Sequence, residues 1–158
     1  MGIVSIAEEI EKLEARGFSI VNTSSGTGST IMVSRKRNQV AKINQDIAYN
    51  HFVEFAKNND DLRVPEIHEF IEYGEAPFEG EHGFTITIME MLIPLCRENQ
   101  IRYETWISRY LFWKAGENEI PEDEFLLIKT IDSLFEYALK KRVNIDLLKA
   151  ANVMKRNN

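Results

Sequence analysis

Few residues in this chain have types and spacings that could do chemistry. Gly26 and Gly28 sit in Ser24-Ser25-Gly26-Thr27-Gly28-Ser29, between two β-rich stretches. Glycines so placed either supply the positive φ of a hairpin turn or leave backbone N–H groups open to a phosphate. Lys42 and Glu54, were they to meet, would make an ordinary ion pair, worth little if exposed. Asp146 precedes Leu147-Leu148-Lys149-Ala150-Ala151, a run of good helix propensity, so it reads as a helix cap as readily as a reactive acid. His51, His68 and His82 lie far from a second ligand at useful spacing, and Cys96 stands alone. No serine has a nucleophile-elbow context. Neither a metal centre nor a hydrolase is expected.

These residues need elements to position them. Ser5 and Glu8 form a capping box at the start of a helix whose stripe is Ile6, Ile10 and Leu13 and whose stop is Gly17. Residues 18–21 and 30–34 read as a hairpin, Arg37-Asn38-Gln39 as a turn, and residues 39–43 as a third strand. A helix over 46–58 follows, with Ala48, Phe52, Phe55 and Ala56 on one side, and then strands over 67–71 and 84–89. Beyond Pro94 the pattern is helical throughout. One helix covers 98–114; Pro121 opens a second, with Leu127, Ile131, Leu134, Phe135 and Ala138 as its stripe. The expected fold is α+β: a five-stranded antiparallel sheet with a packed helix, followed by a mainly helical C-terminal part. Residues 1–158 are expected to form one domain, strand-rich over 1–92 and helical over 93–158.

Composition sets bounds on function. With 158 residues, 44% hydrophobic and 28% charged, the chain can bury about two thirds of its unfolded surface without a disulfide or metal. A net charge of −6 argues against a general nucleic-acid binder and leaves room for a basic protein partner. The single cysteine suits a reducing compartment. The N-terminus has no signal-peptide core and no apolar run approaches a membrane span, so a cytoplasmic, membrane-free location is expected.

Three strands, a helix, two strands, a linker and helices is an order that resembles the protein kinase-like superfamily, from the small lobe into the start of the large one. Gly26-Thr27-Gly28-Ser29 looks like the glycine-rich loop, with Ile31 where a third glycine would stand. Val40-Ala41-Lys42-Ile43 is similar to the strand-three motif, so the resemblance implies that Lys42 neutralises nucleotide phosphates and pairs with Glu54. Met89-Glu90-Met91-Leu92 resembles the hinge, where the backbone of Glu90 and Met91 would meet adenine. The stretch 143–154 is similar to a catalytic loop, which makes Asp146 the base and Asn152 the metal-binding asparagine. Asn144 and Ile145 replace the usual histidine and arginine, Asn152 falls six positions after Asp146 where the family has five, and no Asp-Phe-Gly motif occurs before Asn158. The resemblance is therefore to a degenerate, truncated member.

Phosphoryl transfer needs metals held by an aspartate and an asparagine from different loops, and one holder is missing. The expected function is thus a pseudokinase-type interaction protein, of the kind phages and mobile elements encode to regulate or inhibit another enzyme. No cofactor is expected in that case. The competing expectation is a minimal Ser/Thr phosphotransferase using ATP and magnesium. Tyr103, Trp106, Tyr110 and Trp113, beside Ile107 and Leu111, give more apolar circumference than a small core usually needs. Part of that stripe is expected to face a protein partner, with a homodimer as the simplest case.

Overall fold

The computed structural model describes residues 4–23, 29–74, 83–146 and 153–156. The fold is α+β, and the chain divides into two compact units: residues 1–60 with 64–91, and residues 61–63 with 92–158.

The first unit opens with α1 (Ile6–Ala15), whose capping box joins Ser5 and Glu8 reciprocally and so satisfies two N-terminal donors. Gly17, at φ +90°, turns the chain out of α1. Five antiparallel strands follow: β1 (Ser19–Thr23), β2 (Thr30–Ser34), β3 (Gln39–Asn44), β4 (Ile67–Tyr73) and β5 (Phe84–Glu90). They lie in the order β1-β2-β3-β5-β4, with α2 (Ile47–Lys57) inserted between β3 and β4. Alternation of side chains along β3 and β5 gives the sheet two unlike faces. Ala41 stands opposite Ile88 and Ile43 opposite Ile86; with Met32, Phe84, Phe18 and Leu13 of α1 these form an apolar core. Lys42 stands opposite Thr87 and Asn44 opposite Thr85, on the other face.

The second unit contains α3 (Arg97–Lys114) and α4 (Ile128–Lys141), with a short antiparallel pair, β6 (Ile93–Pro94) and β7 (Met154–Lys155). The part is mainly helical, as expected, and that short pair is the addition to it. Pro121 does not open a helix. Trp106 Nε1 donates to the Glu122 carbonyl at 2.8 Å, holding that residue in an irregular connection, and Leu126 adopts φ +53°. The Asp123 carboxylate accepts the N–H groups of Leu127, at 2.8 Å, and Ile128, so a side chain rather than a proline starts α4.

The aromatic stripe of α3 is core. Tyr103, Trp106 and Tyr110 are 0%, 2% and 0% exposed, and Trp113 is half-buried. Phe125 meets Tyr103 and Trp106 edge-on at 5.8 and 5.6 Å, and Phe135 of α4 stacks on Tyr110 at 6.4 Å. The partner-facing role expected for Tyr103, Trp106 and Tyr110 is corrected accordingly: rings from the connection and from α4 cover the circumference that seemed in excess. Tyr110 donates its hydroxyl proton to Asp132, which also meets Lys114 at 2.7 Å, so the polar end of the ladder is satisfied inside the same unit.

Candidate functional site

The candidate site is the polar face of the first unit's sheet, beneath α2. Asp46 begins that helix: its carboxylate accepts the Tyr49 N–H at 3.2 Å, and its own N–H donates to Asn44 Oδ1 at 2.7 Å. This local lock fixes the first turn of α2 over β3. It sets the Tyr49 ring under Lys42, whose ammonium lies 3.6 Å from the ring centroid. A partly desolvated contact of this kind is worth about 1 kcal/mol. Burial pushes the Lys42 ammonium below its ordinary pKa, and the Asp46 carboxylate works in the opposite direction. Burial likewise raises the Tyr49 phenol, with the Thr87 hydroxyl opposing and Asp46 adding to the rise.

Next to this cation the face stays polar and dry. Asn44, Asn50, Thr85 and Thr87 are each no more than 1% exposed. Thr85 donates to Asn50 Oδ1 at 2.7 Å, while the Nδ2 groups of Asn44 and Asn50 have no hydrogen-bond partner among the described residues. A buried donor left unmade costs about 1–3 kcal/mol, so this face lowers stability. Sequence reasoning missed these four residues. The signal was available, because Thr85 and Thr87 alternate with isoleucines in phase with Lys42 and Asn44 on the paired strand.

The other expected site residues fall as follows. Glu54, on the next turns of α2, has its carboxylate 3.5 Å from His51 Nδ1. Among the described residues Lys42 makes no ion pair with it; the carboxylate acting on Lys42 is Asp46. In the stretch that resembles a hinge, the Glu90 N–H donates to the Glu66 carbonyl at 3.0 Å and the Met91 N–H to the Asn38 carbonyl at 2.9 Å. The Glu90 carboxylate accepts the Glu66 N–H at 2.9 Å. Both backbone donors that the resemblance offers to adenine are thus engaged within the unit.

Gly26, Gly28 and Asn152 lie outside the described residues. Asp146 is exposed in the second unit, past the left-handed C-cap Arg142 of α4. Its charge acts on Tyr103, whose phenol is pushed up to about 12, first by burial and then by Asp146. Among the described residues no group of three His, Cys, Asp or Glu side chains converges to hold a metal, and no helix is long and apolar enough to cross a membrane. An open groove of 570 Å³ between α2 and β4 is lined by Asn50, Glu54, Lys57, Phe70 and Glu72 among others. Comparison with protein-family models, with curated proteins and with solved structures gives no match.

Proposed function

We propose that this chain is a kinase-like domain of the pseudokinase type, working as an interaction protein that regulates or inhibits another enzyme. Support for the kinase-like part is the element order β1-β2-β3-α2-β4-β5, with Lys42 on β3 directed toward the helix side. The observation that carries the non-catalytic part is the Lys42 ammonium, packed 3.6 Å over Tyr49 and served by Asp46. A lysine that neutralises phosphates must present its charge to them, and moving Lys42 off the ring forfeits the cation–π contact. The engaged N–H groups of Glu90 and Met91 support the same reading, since adenine would have to displace bonds already made.

The test is transfer of labelled γ-phosphate by the full chain, to itself and to a generic basic protein, in magnesium. No incorporation above background is expected. Incorporation abolished by both Lys42→Ala and Asp146→Ala, with folding intact, would instead establish the minimal phosphotransferase.

A further inference from the structure

The turn joining β2 to β3 carries three consecutive cations, Arg35, Lys36 and Arg37, all exposed. It is held in place. The Asn38 N–H closes on the Arg35 carbonyl at 3.3 Å, the Asn38 carbonyl accepts the Met91 N–H at 2.9 Å, and Ser34 pairs with Gln39 across the base. Of the other cations, Lys12, Arg16, Arg102, Lys114 and Lys129 each meet a carboxylate, while Arg63, Arg97 and Arg109 are isolated in sequence and meet none among the described residues. Among the described residues, none of Arg35, Lys36 and Arg37 meets a carboxylate, although the chain carries a net charge of −6 and carboxylates are in excess.

Capping the end of α1 does not account for them. The carbonyls of Lys12, Leu13 and Glu14 already accept the N–H groups of Arg16, Gly17 and Phe18. Lys36 and Arg37 line an open cleft of 370 Å³ with Ala15, Arg16, Gly17 and Ser34, and no carboxylate is among its lining residues. Arg16 is held by Glu69, so the free charge at this cleft is that of the turn.

We propose that the Arg35-Lys36-Arg37 turn, with the cleft beside it, docks an acidic segment of a partner protein. Preorganised cations on a rigid turn suit clustered Asp and Glu side chains, because the turn itself has little ordering entropy to lose. A protein segment is favoured over nucleic acid: the overall negative charge opposes a long polyanion, whereas a short acidic stretch needs only the local field. The proposal deepens the interaction-protein reading and rests on it.

The test is fluorescence anisotropy of a labelled oligo-glutamate peptide titrated with the full chain at moderate salt. Binding is expected, weakened at least about tenfold by Arg35→Glu/Lys36→Glu/Arg37→Glu. Lys140→Glu/Lys141→Glu, on the last turn of α4, is the control and should change it less than about twofold. Circular dichroism checks that both variants keep the fold, as substitutions at exposed positions should. Three results would overturn the proposal: no binding by the unaltered chain, equal loss in both variants, or a single-stranded oligothymidylate binding as tightly as the peptide. Nucleotide binding or phosphotransfer, measured separately, bears on the interaction-protein reading alone, so the two failures are distinguishable.

Discussion

The two faces of the first unit's sheet are built on opposite terms. One presents Met32, Ala41, Ile43, Ile86 and Ile88 to α1 and contributes stability through apolar burial. The other presents Lys42, Asn44, Thr85 and Thr87 to α2, and there a half-buried ammonium and two unpartnered amide donors work against it. Valine or isoleucine would suit a pleated surface at least as well by strand propensity alone. The difference separates residues that make the fold from residues that the fold tolerates, and the second set is where a function should be sought.

The comparison can be broken by mutation. Ile86→Ala removes a side chain 1% exposed and is expected to cost about 3 kcal/mol in urea unfolding, within the range for core truncations. A cost below about 1 kcal/mol would mean that the apolar face is not the main core. Thr85→Val should cost less, about 1–2 kcal/mol, because it keeps the shape but orphans Asn50 Oδ1. Adding Asn50→Leu should recover most of that loss; a strictly additive double mutant would show that the pair is not coupled. Asp46→Ala should cost about 1 kcal/mol through the lost N-cap and should also lower the Lys42 pKa further, readable by NMR titration.

Lys42→Met sharpens the contrast most finely. The folded-state pKa of Lys42 lies below its ordinary value of 10.5, so the unfolded chain holds that proton more tightly. The penalty for an ionised Lys42 is complete below the folded-state pKa and fades as pH rises toward 10.5. The variant should therefore unfold at higher urea than the parent at neutral pH, with the gap closing as the solution becomes alkaline. A lower midpoint at neutral pH would show that the Tyr49 contact outweighs desolvation.

Much of the first unit was legible in the sequence because its signals are local. The capping box at Ser5, the positive-φ stop at Gly17 and the alternation through residues 30–34 and 39–44 each act within a few residues. The second unit was less legible because its determinants are distant. Pairing of Ile93 with Lys155 leaves no mark on either dipeptide, and the covering of Trp106 depends on Phe125 arriving from an irregular connection. In the site, the position of Lys42 on β3 followed from alternation, but its companion did not. The kinase resemblance offered Glu54, whereas the N-cap geometry of α2 brings Asp46 to bear. Charge alone could not choose between them, since one carboxylate caps α2 and the other lies within it.

The account is tested most directly by calorimetry of ATP with magnesium on the full chain, repeated with Lys42→Ala. With Lys42 held on Tyr49 and the Glu90 and Met91 N–H groups engaged, no saturable heat is expected from either protein. Micromolar binding that disappears in Lys42→Ala would contradict the account and make this face a working nucleotide site.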